Sequence, residues 1–146
     1  TPWGHASTAR RIAELCPVTL VGVRSMSGEE AQALRTSGVR VFSVGAAEPG
    51  ASWDALAKSM SGHVYVSVDL DVFDPSFMAA VGTPEPGGMG WYEVLRLLRQ
   101  VAEGRRIVGF DVVELTPREG PSACAYIAAK LVYKVIGYSV ALRVEG

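Results

Sequence analysis

The sequence carries little charge and no excess of either sign. Fourteen lysines and arginines stand against fifteen aspartates and glutamates, leaving a net charge of −1. A nucleic acid or an anionic membrane surface is drawn by a basic excess, so neither is implied as a partner. Histidine is scarce, with only His5 and His63 among 146 residues. The two cysteines, Cys16 and Cys124, lie far apart. Without a secretion signal they read as buried thiols rather than a bridge. There is no twenty-residue apolar span and no signal-peptide pattern at the start, so a cytoplasmic chain without a membrane segment is expected. Internal repeats, low-complexity tracts and linkers are also lacking, which leaves one domain over residues 1–146. The first residues are Thr1-Pro2. A processed or shortened chain, or a piece of a longer protein, is the expectation from that start.

What is present alternates between two periods. Helical patterns are expected from His5 to Leu15, after Ser27 to about Thr36, from Ser52 to Met60, from Gly90 to Gly104 and from Pro121 or Ser122 to about Tyr138. Ser27 and Glu30 have capping-box spacing, and Gly38 is placed to end that helix. Val94, Leu97, Leu98 and Val101 form one buried stripe, and Ile127, Leu131 and Val135 another. Between the helices lie strands over Val18–Arg24, Val39–Gly45, the stretch from His63 and Ile107–Leu115. Strands alternating with helices predict an α/β domain of three layers, a mostly parallel sheet between helices. Ligands in such folds sit at the carboxyl ends of the strands.

The chemistry is concentrated at one such end. His63-Val64-Tyr65-Val66-Ser67-Val68 leads into Asp69-Leu70-Asp71-Val72-Phe73-Asp74-Pro75. If the strand continues, Asp69 and Asp71 share a face. Two carboxylates there are stable around a hard cation, or if one keeps a proton. A pair that merely caps a turn is the alternative. A Gly/Pro-rich connection without helical or strand period comes next, Gly82-Thr83-Pro84-Glu85-Pro86-Gly87-Gly88, and long loops of that kind usually serve function. Glu114 ends a strand of valine, phenylalanine and leucine, where a lone carboxylate is costly. A cationic substrate would resolve that cost, and so would a salt bridge to Arg118 or Arg24.

Three segments together resemble a known family. Ser67-Val68-Asp69-Leu70-Asp71 with Asp74-Pro75 and Gly82 to Gly88, Gly109-Phe110-Asp111-Val112-Val113-Glu114-Leu115-Thr116-Pro117, and His5-Ala6-Ser7 are similar to ureohydrolase motifs in the family's order. That family contains arginases and agmatinases, and the agmatinase branch is the nearer match. The resemblance implies an arginase-like fold and hydrolysis of a small guanidino compound to urea and an amine. It also implies a manganese pair that activates water, with Asp69 and Asp71 among its ligands. By the same resemblance Glu114 holds the guanidinium and His5 shuttles a proton to the leaving amine, while Thr83 is placed to touch the substrate or a metal-bound water. Asp111 would orient a site histidine or bond backbone. His63 matches no motif and reads as an exposed strand start, and Trp3, Trp53 and Trp91 read as packing residues.

The family's earlier ligand motifs, Gly-Gly-Asp-His and Asp-Ala-His-x-Asp, do not occur in this chain. The expectation is therefore the carboxyl-terminal half of such an enzyme, its manganese site incomplete. It would be active only with a missing amino-terminal half, or else be an inactive scaffold. A homo-oligomer covering the exposed sheet edge is expected as well.

Overall fold

The computed structural model describes residues 7–43 and 53–142. The chain divides into two compact units, residues 1–46 and 47–146.

The first unit holds α1 (Thr8–Ala13), β1 (Thr19–Val21), α2 (Gly28–Ser37) and β2 (Arg40–Phe42). The expected local signals of α2 are present in full. The Ser27 hydroxyl accepts from the Glu30 N–H at 3.1 Å, and Glu30 accepts from the Ser27 N–H at 2.7 Å. Gly38 closes the helix at φ 72°, where a side chain would be strained. β1 and β2 pair in parallel, Leu20 beside Val41. β1 is shorter than its apolar run. Cys16, expected to be buried, is exposed, because α1 before it has no buried residue to provide cover. The amino-terminal end of the first expected helix, and Val44 and Gly45 of the second expected strand, lie outside the described residues.

The second unit holds α3 (Trp53–Lys58), β3 (His63–Asp69), α4 (Trp91–Gly104), β4 (Arg106–Val113) and α5 (Ser122–Ala141). The element order is the one expected, and β3 pairs with β4 in parallel. Both α4 and α5 pack on β4. α4 buries Val94, Leu95, Leu98, Val101 and Ala102, so Leu95 takes the place expected for Leu97. α5 buries the row Cys124, Ala128, Leu131 and Val135, while Ile127 is only half-buried. α5 is also long and apolar enough to cross a bilayer by length and composition, where no such span was expected. A helix that buries one row in a core meets the same criterion.

The Gly82–Gly88 connection has no helix or strand and is exposed from Gly82 to Gly87, while the residues flanking it are packed. Met78, Ala80, Val81 and Met89 are buried, and Phe73 is sealed between Phe77 at 5.3 Å and Trp91 at 6.1 Å, ring centre to ring centre. The Met89 N–H donates to the Val72 carbonyl at 2.8 Å and the Asp74 N–H to the Met89 carbonyl at 3.1 Å. The Asp74 carboxylate accepts from the Ser76 and Gly87 N–H groups at 2.9 and 3.0 Å. Those bonds hold its carboxyl below the usual carboxylate range, Ser76 contributing most. Gly88 lies so close to this backbone that a Cβ would run into the Phe73 carbonyl carbon and the Asp74 nitrogen.

Candidate active site

Parallel pairing puts the carboxyl ends of β3 and β4 on one edge, with Asp69 beside Val113 in register. The chain leaves β3 differently from the expected straight strand. Leu70–Val72 form a single 3-10 turn, so strand parity does not relate Asp71 to Asp69. A local bond relates them instead: Asp69 Oδ1 accepts from the Asp71 N–H at 3.1 Å. Short polar side chains commonly bond the backbone two residues on in this way, which favours a turn over a strand. Leu70 points into the core and is fully buried.

Thr83 reaches this turn from the connection. Its hydroxyl donates to Asp71 Oδ2 at 3.1 Å. The neighbouring Gly82 faces the third carboxylate, and a Cβ placed there would sit 3.7 Å from Glu114 Oε2. Glu114 lies just beyond β4 at φ 67°, the one described non-glycine residue at positive φ. A side chain in that region is strained by roughly 1–2 kcal/mol. Two contacts hold it there. Leu115 makes an antiparallel bridge with Val81, and the Thr116 N–H donates to the Ala80 carbonyl at 2.9 Å.

The expected cost of burying Glu114 falls elsewhere. Glu114 is exposed, and it makes no ion pair with Arg118 among the described residues. Asp69 is the half-buried one. Burial pushes its carboxyl from 3.8 to about 6, against the Asp71 N–H that lowers it, and the charges of Asp71 and Glu114 raise it further. The charges of Asp71 and Glu114 both reach Asp69, Thr83 bonds Asp71, and Gly82 lies beside Glu114. A cation placed beside Asp69 would meet negative charge from each acid.

His5 lies outside the described residues. His63 is exposed at the start of β3, at the strand end away from Asp69. Among the described residues Asp111 bonds side-chain hydroxyls rather than backbone, and His5, the histidine it was expected to orient, lies outside them. Its carboxylate accepts from Ser67 and Tyr65 side chains. Sequence reasoning does not pick out those hydroxyls as partners. Their alternation on β3 with Asp69 was the available signal.

The described residues contain no group of three or more histidine, cysteine, aspartate or glutamate side chains able to hold a metal ion. A manganese pair needs more donors than two aspartates, so these residues alone do not fit such a centre.

A family model described as "Arginase family" matches residues 1–137. The chain belongs to the arginase family. The N(1)-aminopropylagmatine ureohydrolase of Synechocystis sp. is 38% identical over 137 residues, covering 92% of this chain and 45% of that protein. The agmatinase of Pyrococcus horikoshii is 38% identical over 138 residues, covering 94% and 48%. The crystal structure of the agmatine ureohydrolase of Thermoplasma volcanium superposes with a TM-score of 0.82 at 32% identity, covering 95% of this chain and 48% of that one. The chain therefore has an arginase-type α/β fold in part, and it spans about half the length of the curated relatives it matches.

Proposed function

We propose that this arginase-family chain contributes the guanidinium-binding and part of the metal-binding face of an agmatinase-like ureohydrolase. Such an enzyme hydrolyses a small guanidino compound to urea and an amine. The observation that carries this reading is the meeting of Asp69, Asp71 and Glu114 around Gly82 and Thr83. In it Asp69 and Asp71 are two ligands of a manganese centre completed by donors outside the described residues. Glu114 accepts the guanidinium N–H groups, a charge-assisted contact with bidentate geometry open to it. Thr83 steers Asp71 through its hydroxyl and borders the substrate. His5 is the proton shuttle of the same reading. The carboxyl-terminal portion of a single ureohydrolase domain, working with an amino-terminal portion or in a homo-oligomer, is the corresponding organisation.

A second reading, a chain inactive by itself that serves in assembly, is favoured by the small donor set among the described residues. Urea release separates the two. The purified chain with manganese and agmatine is expected to release none, and urea is expected once a matching amino-terminal half is added. Urea from the chain alone, lost in Asp71→Ala, would show that the site is completed from within these residues. Silence in both arms would leave the assembly role standing and end the enzyme reading.

A further inference from the structure

The two strands that carry the site carboxylates are not in simple register. His63 pairs with Arg106 and Val64 with Ile107, but Tyr65 pairs with Gly109. Val108 is the extra residue, bulged out and 58% exposed. Bulges are rare between parallel strands and re-aim the side chains beyond them. Everything past this one is offset by a residue, including Asp69 beside Val113 and therefore the position of Glu114. Closing the bulge would slide β4 by one residue. A slip of one residue moves each side chain to the opposite face, so Glu114 would leave Asp69 and Asp71.

One group spans the strands just past the bulge. Asp111 Oδ1 accepts from the Ser67 hydroxyl at 2.6 Å, and Asp111 Oδ2 accepts from the Tyr65 hydroxyl at 2.9 Å. Ser67 is the residue directly opposite Asp111. Tyr65 reaches it by laying its ring across β4 at Gly109, where a Cβ would come within 2.9 Å of Tyr65 Cε2. A side chain at this position would displace the ring, whose path brings its hydroxyl to Asp111. In the slipped register Asp111 would no longer stand opposite Ser67, and both bonds would be lost together.

We propose that Asp111 is a positioning residue, whose clasp on Ser67 and Tyr65 selects the bulged register and so brings Glu114 to Asp69 and Asp71. It touches neither substrate nor metal. The clasp acts through the strands, and its importance to catalysis rests on the reading of those three carboxylates as one site.

The test is cross-strand register by NMR on the 146-residue chain. In the wild type, nuclear Overhauser contacts should connect the pairs His63 with Arg106, Val68 with Val112 and Asp69 with Val113. In Asp111→Ala the first is expected to remain and the last two to vanish or move by one residue. Asp111→Asn keeps an acceptor and adds a donor that either hydroxyl can accept, so it should retain the wild-type contacts. If Asp111→Ala does not fold, Tyr65→Phe with Ser67→Ala removes both donors and is judged by the same contacts. A variant that keeps every contact and only melts earlier would make Asp111 an ordinary stabilising residue and overturn the proposal. So would Asp111→Asn behaving like alanine. Manganese titration supplies a separate arm, since bound manganese broadens nearby amide signals. With a matching amino-terminal half added, failure of wild-type Asp69, Asp71 and Glu114 to broaden would count against the metal reading while leaving the register result intact.

Discussion

Replacing Asp69 by asparagine should make the chain more stable at neutral pH. Asparagine has nearly the same shape and keeps a carbonyl oxygen for the Asp71 N–H bond, 3.1 Å in the native protein. What it removes is a half-buried charge beside two other acids. The folded state raises the Asp69 carboxyl from 3.8 to about 6, burial being the largest cause. A proton is therefore held more tightly in the folded chain than in the unfolded one. The stabilisation from that proton is complete below about pH 4, declines as pH rises toward 6, and is gone above it. A shift of this size corresponds to about 3 kcal/mol at the usual conversion. Water still reaches much of the group, and screening reduces the effect to about 1–2 kcal/mol.

Urea denaturation of wild type and Asp69→Asn, measured in parallel from pH 4 to pH 8, reads this out. The two should be nearly equal at pH 4 and separate to about 1–2 kcal/mol in favour of the variant by pH 7. Other carboxylates titrate in the same range, so the difference between the curves is the quantity that matters. A variant less stable than wild type at pH 7 would refute the reasoning, and so would a difference that does not change with pH. Either outcome would mean that Asp69 is well solvated or already compensated.

Three further outcomes are expected. Glu114→Gly should raise stability by a few tenths to about 1 kcal/mol, because glycine accepts φ 67° without strain but loses more chain entropy on folding; Glu114→Ala should not, and urea melts of the pair distinguish strain from side-chain loss. Gly88→Ala should destabilise by about 1–3 kcal/mol or more, since its methyl group meets the backbone at Phe73 and Asp74 rather than a movable side chain, and an unchanged melting temperature would refute the close approach. Leu131→Ala should cost about 2–5 kcal/mol by opening a cavity at a fully buried position of α5, whereas Tyr126→Ala on its exposed side should change stability far less in the same thermal melt.

Local signals were the most legible part of the sequence. The Ser27–Glu30 box and the Gly38 stop act within a single turn, so no distant contact can overrule them easily. The alternation of helices and strands was also readable, because burial imposes a period on each element. The turn after Asp69 was not. Leu70 and Val72 continue the apolar alternation of β3, and a strand and a short 3-10 turn make the same pattern over three residues. The choice was made by the Asp69 side chain bonding Asp71 and by the burial of Leu70, and neither is a matter of period. Glu114 misleads for a related reason. It ends an apolar run, yet its backbone turns to positive φ and its side chain faces water. That turn is set by Ala80 and Val81, residues far away in sequence.

The packed connection explains how such a site can persist. Strained backbone at Glu114 and a half-buried acid at Asp69 are both unfavourable taken singly, and they fall within one small region. Unfavourable local states survive only where surrounding structure over-determines them. Here that structure is the segment from Phe73 to Met89, a loop by its sequence pattern. It buries Phe73, Met78, Ala80, Val81 and Met89, and its backbone bonds tie it to the end of β3 on one side and to the residues after β4 on the other. Thr83 and Gly82 are presented to Asp71 and Glu114 from the middle of the same segment. Gly88 permits close approach to Phe73, and Gly82 leaves room beside Glu114. The flanking contacts at Phe73, Met89, Ala80 and Val81 are therefore what holds the turn after β3 and the residues after β4 at one edge.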